Sequence, residues 1–174
     1  MRVLLHSCCA PCSTFPSYIL LAEGFRVDGL FFNPNIYPAE EEEKRWETYR
    51  RWAGEAGIEV RRIQWPHERW LSGVSSDLTK PGRCRECYRL RLIEVARLAR
   101  EGGYDFFTTT LLVSPYQDHG GVVLALKKAS EESGVPYLYR DFRVGYRRSR
   151  EMARGSHLYM QKYCGCEFSL GGEA

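Results

Sequence analysis

The feature that most restricts the fold of this sequence is a repeated alternation between short apolar runs and longer amphipathic segments. Apolar, β-branched and aromatic runs predict five strands, over 2–7, 27–32, 59–65, 105–112 and 136–142. Helical periodicity and capping residues predict helices over 14–24, 38–56, 66–71, 85–100, 114–133 and 149–162. Strands and helices that alternate in this way predict a parallel sheet covered by helices on both faces.

The chain length is consistent with a single folding unit. A chain of 174 residues can bury a core without disulfide staples, and no repeat or long linker divides it. We therefore expect one α/β domain over 1–174, with a loose C-terminal tail over 163–174. The expected architecture is a three-layer αβα sandwich with a mostly parallel five-stranded sheet, similar to nucleotide hydrolase-like (HUP or Rossmann-like) domains. The polar stretch 72–83 predicts a mobile loop.

The sequence lacks the phosphate-binding loops that ATP-dependent α/β domains use. Neither GxxxxGK[ST] nor Ser-Gly-Gly-x-Asp-Ser follows a predicted strand, so we do not expect ATP-driven chemistry. The first residues do not form the apolar core of a signal peptide, and no stretch approaches about 18 consecutive apolar residues. These features predict a cytoplasmic protein with no membrane partner.

Seven cysteines fall in three groups that are separated along the chain: Cys8, Cys9 and Cys12; Cys84 and Cys87; and Cys164 and Cys166. In a reducing compartment, clustered cysteines indicate metal ligands or redox groups more often than structural disulfides. The first group follows the first predicted strand, and open α/β sheets bind their ligands at the carboxyl ends of strands. The second group begins a predicted helix, where i, i+3 spacing places two sulfurs on one face. The helix N-terminus and nearby arginines there favour thiolates.

Two thiols from each of the first two groups make a set of four. Such a set suits structural zinc, an iron–sulfur cluster or, less readily, two disulfides. Cys9 and Cys12 also have the Cys-x-x-Cys spacing of thioredoxin-like redox motifs. Cys164 and Cys166 can form a strained, easily reduced disulfide, can ligate a metal, or can be two ordinary thiols near the chain end.

The basic residues are mostly arginine. Only five of the 25 basic residues are lysine, and arginine binds phosphate at two points and stacks on bases. A compositional bias, from a GC-rich genome or from thermostability, explains the count equally well. The segment 140–162, however, interleaves arginines with tyrosines, a pattern typical of a surface that contacts RNA.

Four segments carry a resemblance to a known family: HSCCAPC (6–12), CRECYRLRL (84–92), TTTLLVSPYQ (108–117) and YCGCEFS (163–169). In this order and combination they resemble the epoxyqueuosine reductases of the QueH type. The resemblance implies reduction of epoxyqueuosine to queuosine at the wobble position of tRNA, with the epoxide oxygen lost as water. This is the last step of queuosine biosynthesis, without cobalamin. It also implies a 4Fe–4S cluster, an additional mononuclear iron, and a low-potential electron donor as a partner besides tRNA.

The resemblance implies roles for individual residues. The cluster ligands are expected to be Cys8, Cys9, Cys84 and Cys87. Cys12 is the candidate for a thiol at the second iron or for direct redox work, and Cys164 and Cys166 form a second redox candidate. Candidate proton donors near the predicted strand ends are His6, Tyr116 and His119. Candidate arginines for the tRNA phosphates are Arg83, Arg85, Arg89, Arg147, Arg148 and Arg150.

Alternative functions remain open at this point. A zinc-stabilised RNA-binding module without catalysis would explain Cys84, Cys87 and the arginines, but it leaves Cys12 and the C-terminal cysteines without a role. A dithiol-disulfide oxidoreductase would need only Cys9 and Cys12 for turnover. A relative of the tRNA thiolases is the least favoured alternative, because the sequence has no ATP loop.

Overall fold

The computed structural model describes residues 1–170, and its centre is a four-stranded sheet in the order β3–β2–β1–β4. The strands are β1 (Arg2–His6), β2 (Arg26–Phe31), β3 (Val60–Arg62) and β4 (Phe106–Thr109). All three pairings are parallel, so each connection has to cross over the sheet. The central strand β1 is buried along nearly its whole length, as is typical of a sheet covered on both faces.

Four helices connect the strands: α1 (Ala10–Ala22), α2 (Ala39–Glu55), α3 (His67–Val74) and α4 (Gly82–Glu101). Two more follow β4: α5 (His119–Ser133) and α6 (Tyr146–Gly155). Short 3-10 turns occur over Thr110–Val113, Phe142–Gly145 and Glu167–Ser169. The larger apolar core joins β1 and β4 to α4 and α5, and a second core includes Phe31 of β2 with Tyr49 and Trp52 of α2. The parallel sheet between helices confirms the predicted α/β class.

The predicted fifth strand, over 136–142, is wrong, because the sheet has four strands within residues 1–170. Tyr137 forms an isolated bridge to Phe107, and the chain then turns into the 3-10 segment that begins at Phe142. Pro136 has no N–H to donate to a ladder. The Asp141 carboxylate accepts a hydrogen bond from the Arg143 N–H at 3.1 Å, which caps the turn and ends the extended run.

Helix α1 begins at Ala10 rather than at the predicted Thr14. Its N-cap is Cys9, whose sulfur accepts a hydrogen bond from the backbone N–H of Cys12 at 3.3 Å. Pro11 lies in the first turn, where the missing N–H is harmless. Serine, threonine, aspartate and asparagine are the usual N-caps, so cysteine gave no capping signal in the sequence.

Other element boundaries also differ from the predictions. Helix α5 begins at His119 with Asp118 as its N-cap, not Ser114, because the Asp118 carboxylate accepts from the Gly121 N–H at 3.0 Å. Helix α6 spans Tyr146–Gly155 instead of 149–162, strand β3 is shorter than predicted, and α3 continues to Val74.

The C-terminal segment 163–170 packs on α3 and α4. Cys166 and Ser169 are buried, and Phe168 contacts an apolar cluster that contains Trp70 and Cys87. The last four residues of the predicted tail, 171–174, lie outside the described residues. Within residues 1–170, none of the helices combines the length and the apolar character that crossing a membrane requires.

Candidate metal and redox site

A cavity of about 750 Å³ lies where β1 and β4 end. Its walls come from the segment after β1, the first turns of α4, the segment after β4 and residues 160–169. Five of the seven cysteines line it: Cys8, Cys12, Cys84, Cys164 and Cys166. Parallel α/β sheets bind ligands at this edge, so the fold brings segments that are distant in the sequence to the expected place.

The N-terminal thiol triad consists of Cys8, Cys9 and Cys12, whose sulfur atoms all lie within 4.8 Å of one another. The chain leaves strand geometry after His6, so the adjacent Cys8 and Cys9 can point to the same place. Cys9 caps α1 and Cys12 lies in its first turn, which brings the third sulfur to the other two. The Cys8 N–H donates to the Thr110 hydroxyl at 3.0 Å, which ties the triad to the end of β4.

The pKa values of the three triad thiols are shifted in different directions. Hydrogen bonds from the Cys12 and Cys9 thiols lower the pKa of Cys8 well below its usual range, against the effect of burial. The Thr110 hydroxyl adds a third donor at 3.3 Å. Burial raises the pKa of Cys9, whose sulfur also accepts from the Gln161 amide at 2.8 Å, and the bond to Cys8 raises the pKa of Cys12. The arrangement favours the thiolate form at Cys8, and the thiolate is the form of cysteine that binds metals.

The helix–loop thiol group consists of Cys84 and Cys87 in the first turns of α4 and Cys164 and Cys166 in the C-terminal segment. Cys84 interacts electrostatically with Cys87 and Cys166, and Cys164 does so with Cys87 and Cys166. This group is looser than the triad, which is the one set of three potential ligand atoms within 4.8 Å of each other among residues 1–170. All seven cysteines are free thiols, including Cys164 and Cys166, for which the sequence left a disulfide as one of three alternatives.

The sequence-based expectation of a thiolate at Cys84 is wrong. Burial raises the pKa of the Cys84 thiol, and the positive charge of Arg83 opposes this only in part. Arg85, another basic neighbour, forms an ion pair with Asp118 at 2.7 Å, which offsets its charge. Burial likewise raises the pKa of Cys164, to about 11.

Arg45 of α2 holds the Cys-Gly-Cys loop in place. Its side chain is buried, and its Nη1 and Nη2 donate to the carbonyl oxygens of Cys164 and Tyr163 at 3.1 and 3.2 Å. Its Nε forms an ion pair with Glu41 at 2.7 Å. Gly165 has φ +132°, and a Cβ there would lie 3.3 Å from Arg45 Nη1 and 3.0 Å from a neighbouring isoleucine carbon, so this turn requires glycine.

The three predicted proton donors lie in different environments. His6 is fully buried, with Nδ1 2.7 Å from the Thr109 hydroxyl and Nε2 3.1 Å from the Phe32 carbonyl oxygen, and burial lowers its pKa to about 3. These contacts connect the ends of three strands. Tyr116 lines the cavity with 68% of its side chain exposed. His119 Nε2 is hydrogen-bonded to the Tyr139 hydroxyl at 3.1 Å, and His119 does not line the cavity.

The predicted tRNA-binding arginines divide into two sets. Arg83 and Arg150 line the cavity, although the Arg83 guanidinium also donates to the Leu78 carbonyl and lies 4.6 Å above the Phe168 ring. The other four do not line it and form ion pairs: Arg85 with Asp118, Arg89 with Glu86, and Arg147 and Arg148 with Glu151. The cavity itself is basic, because its lining has six lysine or arginine side chains and a single carboxylate, Asp118.

Sequence reasoning missed several side chains at the site: Arg45, Tyr88, Arg91, Thr110 and Gln161. Arg91 follows Cys87 by four residues on α4, so helical spacing could have placed it on the same face. Thr110 belongs to a threonine run at the end of β4. The Tyr88 hydroxyl donates to Gln117 at 2.6 Å. Arg45 and Gln161 reach the thiols only through tertiary folding, for which the sequence has no local signal.

Comparison with known proteins identifies the family. Residues 3–171 match the family model described as "Epoxyqueuosine reductase QueH". The chain belongs to this family. Epoxyqueuosine reductase QueH of Dehalococcoides mccartyi is 35% identical over 169 residues, which cover 97% of this chain and 92% of that protein. The QueH of Thermotoga maritima is 35% identical over 179 residues, with 97% and 90% covered. The sequence-based family assignment is therefore confirmed, and the protein is an oxidoreductase.

A solved structure shares the fold. The predicted subunit of tRNA methyltransferase from Methanocaldococcus jannaschii matches 88% of this chain and 74% of its own, with a TM-score of 0.62 and 12% identity. The likeness supports the α/β fold alone. The donor set is informative about the cofactor, because thiolates are the ligands of iron–sulfur clusters and the triad contains neither histidine nor carboxylate. The residues present therefore fit an iron–sulfur cluster.

Proposed function

We propose that this protein reduces epoxyqueuosine to queuosine at the wobble position of tRNA. The reaction breaks two C–O bonds of the epoxide, forms the cyclopentene double bond and releases the oxygen as water, with two electrons and two protons consumed. The observation that carries this proposal is the meeting of both thiol groups at one basic cavity, in a chain of the QueH family. A tRNA substrate also agrees with the cytoplasmic location that the sequence predicts.

Thiols from both groups would hold the cofactor. Cys8, Cys9, Cys84 and Cys87 would ligate a 4Fe–4S cluster, which, when bound, supplies single electrons received from a low-potential donor. Cys12 is the candidate ligand of an additional mononuclear iron, because it lines the cavity, whereas Cys9 does not. Thr110, which is buried, and Gln161, which is half-buried, donate hydrogen bonds to the sulfurs of Cys8 and Cys9 and would keep them in position.

The cavity suits a nucleoside in size and in charge. Ligand pockets commonly enclose about 300 to 1,000 Å³, and this one encloses about 750 Å³. Its mouth carries Tyr116 in edge-to-face contact with Tyr146, with ring centroids 5.9 Å apart. An exposed aromatic ring at this position can stack on a base of a single-stranded loop. Arg150 and Lys162 in the lining would bind adjacent phosphates.

Tyr116 is the proton donor that we propose for the leaving oxygen. It alone of the three predicted donors lines the cavity, and its hydroxyl makes no hydrogen bond within residues 1–170. His6 is committed to Thr109 and Phe32 behind the thiols, where it orients the strand ends. His119 is committed to Tyr139 outside the cavity.

The test is anaerobic reconstitution with iron and sulfide, followed by incubation with epoxyqueuosine-containing tRNA and dithionite. Mass spectrometry of the digested tRNA should show loss of one oxygen atom from the modified nucleoside. A colourless protein with stoichiometric zinc and an unchanged nucleoside would support the zinc-stabilised RNA-binding alternative. Turnover that survives Cys84→Ser and Cys87→Ser would support the dithiol-disulfide alternative.

A further inference from the structure

Arg91 of α4 is a buried cation without an anionic side-chain partner among the described carboxylates. Only 2% of the residue is exposed. Its Nη2 donates to Asn33 Oδ1 and lies 3.4 Å from His6 Nε2, and neither of those residues is a carboxylate. Within residues 1–170, no carboxylate lies within ion-pair distance of its guanidinium, and its Nε has no hydrogen-bond partner.

Arg45 provides an internal comparison, because it is equally buried and also lines the cavity. Its charge is offset by Glu41 at 2.7 Å. An isolated charge in a protein interior is strongly unfavourable unless an opposite charge lies nearby. The environment of Arg91 therefore lacks the anion that the environment of Arg45 contains.

A sulfur atom also contacts the Arg91 guanidinium. Its Nη1 lies 3.9 Å from Cys87 Sγ, in the helix–loop thiol group. Cys8 of the triad and Cys164 line the same cavity as Arg91. Arg91 thus contacts the helix–loop thiol group and lines the cavity that both thiol groups share. Thiolates are the anions that its location supplies.

We propose that Arg91 is a positioning residue that provides the counter-charge of the thiolate-held redox centre and sets the midpoint potential of that centre. The inference rests on the proposed function, because it requires an iron–sulfur centre held by thiolates from both groups. One-electron reduction makes such a centre more negative. A fixed positive charge in the protein interior stabilises the reduced state more than the oxidised state. Arg91 therefore raises the potential and makes electron uptake from the donor more favourable.

The experiment is a mediated redox titration of the reconstituted protein, followed by visible absorption and electron paramagnetic resonance. Arg91→Met removes the charge and keeps an unbranched apolar stem. We expect the equilibrium constant for reduction of the centre to fall at least about ten-fold. This corresponds to a midpoint potential that is lower by about 59 mV for one electron. In Arg91→Lys the equilibrium constant for reduction should stay within about two-fold of the wild-type value, because lysine retains the positive charge.

Arg97→Met is the matched control. Arg97 lies on the same helix but is only half-buried and is paired with Glu94 and Glu101, so its removal should leave the potential unchanged. Asn33→Asp is a second route to the same result, because a carboxylate at the Arg91 Nη2 would offset the charge and leave the guanidinium in place. It keeps the test open if Arg91→Met does not fold by circular dichroism.

The outcomes separate this inference from the proposed function. A reduction equilibrium constant within two-fold of the wild-type value in Arg91→Met would overturn the role of Arg91 and leave the proposed function intact. The same result in Asn33→Asp would do so where the methionine variant is unfolded. Failure of the wild-type protein to assemble any iron–sulfur centre would overturn both. A lower potential in a charge-neutralised variant, with Arg97→Met unchanged, supports the inference.

Discussion

The two thiol groups meet at one cavity but are built in different ways. The triad comes from five consecutive residues, and its geometry follows from the start of one helix, with Cys9 as the cap and Cys12 in the first turn. The helix–loop thiol group joins the start of α4 to a segment near the C-terminus, and side chains from other elements hold that segment in place. A locally built group keeps its geometry when distant contacts are lost, whereas a group built from distant segments depends on them.

The largest expected effect is the difference between replacing Cys9, a proposed cluster ligand, and replacing Cys12, the triad thiol that is not one. Cys9→Ser should abolish cluster assembly and lower turnover by more than about 100-fold, the upper range found when outer-shell partners of metal ligands are lost. Cys12→Ser should keep the iron–sulfur absorption and lose turnover, since Cys12 faces the cavity. Iron and sulfide analysis with the nucleoside assay checks both. Loss of the cluster in both variants would show that all three triad thiols act as one ligand set.

The next effect tests the anchor of the helix–loop thiol group. Arg45→Ala removes hydrogen bonds to two carbonyls and leaves Glu41 unpaired in a partly buried place. We expect a loss of about 3 kcal/mol in the free energy of unfolding, the range for breaking a buried ion pair. Urea unfolding measures this loss. In the folded variant, Cys164 and Cys166 should react faster with iodoacetamide, whereas the triad should not.

Arg50→Ala serves as the control for this substitution. Arg50 lies on the exposed side of α2 and pairs with Glu47, so its removal should change neither the urea midpoint nor the alkylation rates. Equal acceleration at the triad and at the loop in Arg45→Ala would contradict the idea that the two groups are held independently.

A smaller effect is expected at His67, which connects α3 to the C-terminal segment. Its Nδ1 lies 3.0 Å from the Pro34 carbonyl oxygen and its Nε2 3.3 Å from Glu167. His67→Ala should cost about 1 kcal/mol, the usual net value of a lost hydrogen bond, and raise the alkylation rate of Cys166. Glu68→Gln, at the exposed next position, should leave both measurements unchanged. An unchanged Cys166 rate in His67→Ala would show that apolar packing alone holds this segment.

The same contrast explains what the sequence could predict. The ends of strands and the i, i+3 spacing of Cys84 and Cys87 are local patterns. The sequence therefore predicted the α/β class and the sheet edge at which the site lies. It also predicted that Cys8 and Cys9 follow β1 and that Cys84 and Cys87 begin a helix. It did not predict the position of Cys12, because this position required a helix capped by a sulfur. The extended run after Pro136 had strand composition, but it makes only one bridge before Asp141 turns the chain.

Buried charges were the least accessible feature. Arg45 and Arg91 look like ordinary members of amphipathic helices in the sequence, and only the folded chain shows that they are buried beside thiols. Periodicity predicts which face of a helix is buried, and it assigns arginine to the exposed face. An arginine on the buried face is therefore invisible to pattern reasoning. The free-energy cost of its burial is a reason to look for a function.

The smallest expected effect concerns the contact that crosses between the two regions. Gln161, shortly before the Cys-Gly-Cys loop, donates to Cys9 Sγ at 2.8 Å. If the triad is built locally, Gln161→Ala should lower the free energy of unfolding by only about 0.5 to 1 kcal/mol and leave the iron–sulfur content unchanged. Lys162→Ala, at the exposed next residue, is the matched control and should leave both measurements unchanged. A loss of cluster in Gln161→Ala would mean that the C-terminal segment also positions the triad, and the distinction between a local and a distant thiol group would fail.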